Sequence, residues 1–292
     1  MTAQRTALPF SKMHGIGNDF VVLDCRQAPF ALSPAQVRAM GDRHTGIGFD
    51  QLLTVEPARD PASAFYYGIW NADGTPSGQC GNGVRCIAAW LNRAGAIGSG
   101  DLLRIESPSG PVSVRLLAAD RVAVDMGEPD FDATASRFDG GAPLLSVTMG
   151  SPPGPLAGTA IAFDVVSMGN PHAVVNVERL DDPVLGSWGP ALTSSSRFVD
   201  GVNAGFVQFV DRTRLRLRVH ERGAGWTLAC GTGACAAMAV MRRQHRVDQR
   251  VQVELPGGEL QIDWPGPGST LWMTGPAAFV FDGEWPLTAG TD

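Results

Sequence analysis

The chain has a single lysine, Lys12; the other 22 of its 23 basic residues are arginine. An enzyme that holds pyridoxal phosphate as a Schiff base needs a lysine, so that chemistry has one candidate, in a strand-like N-terminal segment. No Gly-Lys-Ser or Gly-Lys-Thr phosphate loop exists. Cys-x-x-Cys is missing too. The five cysteines are Cys25, Cys80, Cys86, Cys230 and Cys235, and the close pairs stand six and five apart. That spacing suits neither a zinc knuckle nor a disulfide framework. No apolar run reaches the roughly 18 residues of a membrane span. Met1 to Phe10 lacks the basic-then-apolar pattern of a secretory signal. The expectation is a cytoplasmic protein with no membrane partner. Only 18% of residues are charged and the net charge is −6, which argues against a nucleic-acid partner. What remains is apolar: 44% of residues are hydrophobic, enough for a substantial core, and 292 residues fit two domains.

The chain repeats itself at a period near 150. Met13-His14-Gly15-Ile16-Gly17-Asn18 leads into Val21-Val22, and Met168-Gly169-Asn170-Pro171-His172 leads into Val174-Val175. Cys80-Gly81-Asn82-Gly83 is matched by Cys230-Gly231-Thr232-Gly233, and Gly127-Glu128-Pro129 by Gly275-Pro276. Three landmarks in the same order at nearly constant offset define two similar halves. These are expected at residues 1–130, completed by 278–292, and at 131–277, a usual domain size. Residues near 133–158, rich in Gly, Pro and Ser, read as a linker plus an insertion.

Short β runs fill both halves: Phe20 to Cys25, Phe65 to Trp70, Leu102 to Glu106, Val112 to Leu117 and Val122 to Met126 in the first. The second has Ala160 to Val166, Ala173 to Val177, Phe206 to Val210, Arg212 to His220, Val251 to Leu255, Leu260 to Trp264 and Thr270 to Thr274. Pro34 to His44 reads as a helix with Ser33 as its N-cap. Val84 to Arg93 and Ala234 to His245, each just after a cysteine motif, are helical. Mostly antiparallel strands with one long helix per half predict an α+β fold.

Each cysteine motif sits where the chain enters a helix. Glycines there allow a ligand close to the backbone. The first helical amides are unpaired and the helix dipole adds positive charge, a setting for a carboxylate. A cysteine at such a place has its thiolate stabilised. Two such entries related by the repeat place two thiols across an interdomain cleft, a usual ligand site. One thiolate removes the proton next to the carboxylate, and the other returns a proton from the opposite face. The carbon inverts without a cofactor, while the helix starts stabilise the developing charge. Where recognition must occur the halves differ: Asn71 aligns with Glu221, Ala72 with Arg222, and Gln51 with Asn203. Arg222 is shaped to hold a second carboxylate.

Taken together, Asn18-Asp19-Phe20, Asn71-Ala72-Asp73-Gly74 leading to Cys80-Gly81-Asn82-Gly83-Val84-Arg85, Gly169-Asn170-Pro171-His172, and Glu221-Arg222-Gly223-Ala224-Gly225 leading to Ala229-Cys230-Gly231-Thr232-Gly233-Ala234 resemble the diaminopimelate epimerases. The resemblance spans the whole chain. It implies a cofactor-independent epimerase that converts LL- to meso-diaminopimelate on the way to lysine and cell-wall peptide. It also implies two pseudosymmetric domains, each a mostly antiparallel, β-barrel-like sheet around a central helix, and a homodimer. By the same resemblance Cys80 and Cys230 are the acid and base, assisted by His172 and Glu221. Gly81-Asn82 and Gly231-Thr232 supply helix-start contacts to the reacting carboxylate. Asn18, Gln51, Asn71, Asn170, Asn203, Glu221 and Arg222 bind substrate. Trp226 departs from the pattern, since many members carry Glu there, and the stretch near 139–158 is longer than usual.

Other readings stay open. His14, His44, His220 and His245 read as structural or exposed. Arg212, Arg214, Arg216 and Arg218 alternate with Thr213, Leu215, Leu217 and Val219, the pattern of a strand with one solvated face. Cys25, Cys86 and Cys235 read as buried apolar residues, as do Met126 and Met273. The nearest rival is a proline or hydroxyproline racemase-type enzyme, which shares the two-thiol plan but has no distal carboxylate for Arg222 to hold. A thiol redox or zinc-binding protein using Cys80, Cys230 and His172 is the alternative of another class.

Overall fold

Parallel strands cannot be joined by a tight turn, so every parallel pair marks a crossover, and here helices make the crossovers. The computed structural model describes residues 7–78, 80–138, 144–148 and 160–287, and the chain divides into two units, residues 1–124 with 275–292 and residues 125–274. The first unit holds β1 (Ala7–Gly15), β2 (Asn18–Asp24), α1 (Pro34–Gly41), β3 (Gln51–Pro57), β4 (Phe65–Asn71), α2 (Gly81–Arg93), β5 (Leu102–Ser107), β6 (Gly110–Ala118) and β7 (Arg121–Asp125). The second holds β8 (Leu144–Thr148), β9 (Ala160–Ser167), β10 (Pro171–Val177), α3 (Leu185–Thr193), β11 (Asn203–Asp211) and β12 (Arg214–Glu221). It continues through β13 (Gly225–Thr227), α4 (Gly231–Arg243), β14 (Arg250–Leu255), β15 (Gly258–Asp263) and β16 (Trp272–Pro276). The chain then returns to the first unit with β17 (Ala278–Pro286).

In the first unit the strands run β17-β1-β2-β3-β4-β5-β6-β7, parallel at β2–β3 and β4–β5 and antiparallel elsewhere. In the second they run β8-β9-β10-β11-β12-β14-β15-β16, parallel at β10–β11 and β12–β14. The two pairing patterns are the same, so the repeat in the sequence is a repeat of topology. α1 and α3 make the first crossover of each unit, and α2 and α4 the second. α2 is buried from Gly81 to Leu91, and α4 is buried at Gly231 and from Gly233 to Met241. A helix buried on all sides is the centre of its domain. Each unit is therefore a mostly antiparallel, barrel-like sheet around a central helix.

α1 and α3 cover other strand faces. Val37 and Met40 of α1 pack with Val21, Leu23 and Leu52, and Leu185 and Leu192 of α3 pack with Val175, Phe198 and Phe206. α1 opens with a capping box, Gln36 N–H to Ser33 Oγ at 3.3 Å and Ser33 N–H to Gln36 Oε1 at 2.8 Å, with Pro34 in its first turn. It ends at Gly41, not at His44. The Asp42 carboxylate takes the His44 and Thr45 backbone N–H groups at 2.8 and 2.7 Å, which turns the chain out of the helix.

β12 starts at Arg214 rather than Arg212, because Asp211 Oδ1 accepts from Thr213 N–H at 2.7 Å and closes a turn first. Leu215, Leu217 and Val219 point inward there. Of the Gly/Pro/Ser-rich stretch, residues 139–143 and 149–158 lie outside the described residues. Leu144–Thr148, however, is not insertion but strand β8, antiparallel to β9, and occupies the place that β17 takes in the first unit.

Candidate active site

The candidate residues occupy matching places in the two units. Asn18 opens β2 and Asn170 immediately precedes β10. Gln51 opens β3 and Asn203 opens β11; Gln51 faces Phe20 and Asn71 across the ladder, and Asn203 faces His172. Asn71 closes β4 and Glu221 closes β12. Cys80 and Cys230 are the N-caps of the central helices, with near-identical extended backbones, φ −137°, ψ 113° and φ −129°, ψ 102°. All five cysteines are thiols.

In the first unit the Cys80 thiol donates to Asn18 Oδ1 at 3.6 Å, and Asn82 Nδ2 donates to the same oxygen at 3.1 Å. A second group forms around Gln51, whose Nε2 reaches Asn71 Oδ1 at 3.2 Å and Ser77 Oγ at 3.4 Å. Asn71 Nδ2 in turn donates to Thr75 Oγ1 at 3.1 Å.

In the second unit Cys230 is only 4% exposed. Burial pushes its thiol well above the usual range, and the neighbouring Glu221 carboxylate adds to this by its charge and by a hydrogen bond. The Gly233 backbone N–H and the Thr232 hydroxyl pull the other way. Thr232 Oγ1 stands 3.7 Å from the sulfur and accepts from Asn170 Nδ2 at 3.4 Å. Behind Asn170 lies His172, 0% exposed, its Nε2 at 3.1 Å from Asn170 Oδ1. Burial alone holds the His172 imidazole down at about 3, so the ring is neutral. Arg222 is anchored by its own backbone, N–H to Asn203 Oδ1 at 2.9 Å, and its exposed guanidinium touches the Asp200 carbonyl.

Glycines make these approaches possible. A Cβ on Gly233 would sit 3.2 Å from Cys230 Sγ, tighter than ordinary contact, whereas one on Gly83 would press on Leu53 at 3.3 Å and meet Cys80 Cβ only at an ordinary 3.5 Å. Gly223 and Gly225, at φ +79° and +76°, fold the β12–β13 hairpin so that Thr227 Oγ1 donates to Glu221 Oε1 at 2.6 Å. Trp226, in that hairpin, meets His220 edge to face, packs at a tilt against Phe206 and lies under Arg218. It presses on α3 at Gly189, where an added Cβ would be 2.8 Å from Trp226 Cζ2. The packing left open by the departure at position 226 is thus met by a glycine of α3.

Sequence reasoning missed Asp50, Ser77 and Thr227. Asp50 had a signal, an acidic residue directly before Gln51 at a strand start. Thr227 had none, because its role depends on the hairpin register. Among the described residues no three His, Cys, Asp or Glu side chains converge as a metal site, and no helix is long and apolar enough to cross a membrane.

The sequence model of diaminopimelate epimerase matches residues 10–131 and 164–280, passing over the stretch that reads as linker and insertion. A diaminopimelate epimerase of Xanthomonas axonopodis pv. citri (strain 306) is 50% identical over 278 residues, 95% of this chain and 96% of that protein. Among solved structures, a hydroxyproline epimerase from Agrobacterium vitis matches at TM-score 0.67 and 15% identity, over 97% of this chain and 93% of that one. A PhzF-family phenazine biosynthesis protein from Bacillus anthracis matches at TM-score 0.68 and 15% identity, over 97% and 100%. These two distant likenesses show the fold; the sequence match is specific, and the chain belongs to the diaminopimelate epimerase family.

Proposed function

We propose that the protein inverts one α-carbon of LL-2,6-diaminopimelate to give the meso form, with Cys80 and Cys230 as a pair of acid/base thiols and no cofactor. The observation that carries this is the duplicated helix entry, a thiol at the N-cap of a buried central helix in each unit, at the same point of the same topology. The opening amides of α2 and α4, at Gly81-Asn82 and Gly231-Thr232, take the carboxylate of the reacting centre. As the α-proton leaves, negative charge moves onto that carboxylate, and the same amides hold it more strongly in the transition state than in the ground state. Glu221 assists by direct contact with Cys230, and His172 assists through Asn170. Asn18, Gln51, Asn71, Asn170 and Asn203 supply neutral hydrogen bonds to the substrate.

Pyridoxal chemistry has no support from the single lysine. Lys12 is 7% exposed and its Nζ donates to Asp19 at 2.5 Å and to the Gly48 carbonyl. Thiol exchange or zinc binding has no support either: Cys80 bonds to Asn18, Cys230 meets Thr232 and Glu221, and among the described residues no three metal-ligating side chains gather at either thiol. The reading extends to a cytoplasmic homodimer working on the route to lysine and peptidoglycan precursors. Val280 and Phe281, exposed apolar residues on β17, are surface that a second copy would cover.

Arg222 is the residue that selects a substrate with a distal carboxylate. Purified protein with no additions is expected to convert LL-diaminopimelate and to leave lysine and proline untouched. Arg222→Leu removes a charge-assisted contact of about 1.5–3 kcal/mol, roughly a ten- to hundredfold rise in KM. Lysine racemisation at a comparable rate, or an unchanged KM in the variant, would defeat this assignment.

A further inference from the structure

An asparagine side chain has a donor end and an acceptor end of nearly the same shape, and its neighbours decide which way it points. Asn18 Nδ2 donates to Asp50 Oδ2 at 2.8 Å, which leaves Oδ1 toward Cys80 Sγ and Asn82 Nδ2. A carboxylate only accepts, so Asp50 rules out the flipped amide. Asp50 is itself fixed: Arg43 Nη2 donates to its Oδ1 at 2.7 Å, its backbone N–H meets Asp19 Oδ1 at 3.0 Å, and Asp19 N–H meets its Oδ2 at 3.2 Å. Arg43 also grips Asp19 with two bonds, at 2.7 and 3.0 Å, and Lys12 closes the cluster. Burial opposes charge on Asp19, but the hydrogen bonds from Arg43 and Lys12 outweigh it and hold the carboxyl down at about 2.

The second unit shows that the fold does not dictate this orientation. There the equivalent Asn170 turns its nitrogen, not its oxygen, toward the helix start, and the residue behind it is His172 instead of a carboxylate.

We propose that Asp50, held by Arg43 and Asp19, is a positioning residue for the thiol chemistry: it locks the Asn18 amide with its oxygen toward Cys80, so that Asn18 accepts from a thiol and cannot donate to a thiolate. The inference rests on the reading of Cys80 as an acid/base group. It makes Cys80 a thiol that gives up its proton late, with the Asn18 oxygen aiming the S–H bond. Without Asp50 the amide is free to flip and present N–H groups to the sulfur, which favours the thiolate.

Among the described residues, titratable groups that interact with Cys80 include Tyr67 on β4 and Cys86 on α2, the latter also beside Arg85. Burial pushes both the Tyr67 phenol and the Cys86 thiol up, the latter to about 12, so neither titrates across the range of the test.

The test is the pH dependence of iodoacetamide alkylation at Cys80, read by peptide mapping, with Cys230 as a control in the same molecule. In Asp50→Asn the Cys80 midpoint is expected to fall by half a pH unit or more while that of Cys230 stays put. The same variant should lose tenfold or more in kcat, and KM should rise too because Asn18 also bonds the substrate; the deciding reading is the Cys80 midpoint, which a purely substrate-binding or structural role would not move. Arg43→Gln loosens the same carboxylate and should shift the Cys80 midpoint in the same direction, so the proposal remains testable should Asp50→Asn fold poorly. In an Asn18→Ala background, Asp50→Asn should add no further shift. An unmoved Cys80 midpoint overturns the proposal, as does an equal shift without Asn18, which would mean that Asp50 acts through space by its charge. Alkylation reads the thiol whether or not the protein turns over diaminopimelate, so failure here is distinct from failure of the epimerase reading.

Discussion

Replacing either Cys80 or Cys230 with alanine is expected to abolish epimerisation, with a loss of about a thousandfold or more for each single variant. A positioned acid or base typically contributes ~10²–10⁴-fold, and in the proposed mechanism each turnover needs both thiols, one to take the proton and one to return it. Neither residue holds its unit together. Cys80 is half-exposed, and Cys230, though buried, has its sulfur in polar contacts with Thr232 and Glu221. Melting temperatures should therefore stay within a few degrees of wild type. Measured turnover with LL-diaminopimelate decides the matter: near wild-type activity in either variant removes that thiol from the mechanism.

Glu221→Gln is expected to separate thiol reactivity from turnover. Burial and the Glu221 charge together raise the Cys230 thiol. Glutamine keeps the acceptor oxygen that Thr227 holds at 2.6 Å and deletes the charge. The sign follows: the thiolate loses a repelling neighbour, so the Cys230 alkylation midpoint moves to lower pH and alkylation at a fixed pH speeds up. Turnover should move the other way, by about a hundredfold, because a buried thiol needs an acceptor for its proton before it can act as base, and an amide cannot take one. The pair of measurements is diagnostic. A variant with unchanged alkylation, or with turnover that rises together with reactivity, would show that Glu221 does not serve Cys230.

The features most legible in the sequence were those carried by local chemistry and by repetition. Two Cys-Gly-x-Gly entries, each followed by an apolar helix, located the central helices and the thiols at their caps without any long-range information. Ser33 and Pro34 located the start of α1. What depends on distant partners was hidden. The segment around Lys12 reads as strand-like, but nothing local says that β1 buries Ser11 and Lys12. Ser11 is satisfied by Asp282, 271 residues away, and by Trp90 and Arg93, and Lys12 by Asp19.

α3 was illegible because Gly186, Gly189 and Pro190 are helix breakers. The helix stands because Leu185 and Leu192 are buried and Gly189 lets Trp226 and His220 come close. In the site, residues next to a motif were found and residues behind it were not. Asn18 is visible in its own sequence context, whereas Asp50 and Thr227 matter through a side chain that another element brings to them.

The central claim, two thiols working on opposite faces of one carbon with no cofactor, is tested most directly in heavy water. Purified protein is incubated with LL-diaminopimelate, nothing else is added, and both isomers are isolated after a small fraction has reacted. The account predicts meso-diaminopimelate with one solvent deuterium at the inverted centre, while the remaining LL isomer keeps its original hydrogen at both α-carbons. Meso product that retains the substrate's own α-hydrogen, or no product until pyridoxal phosphate is supplied, would contradict it.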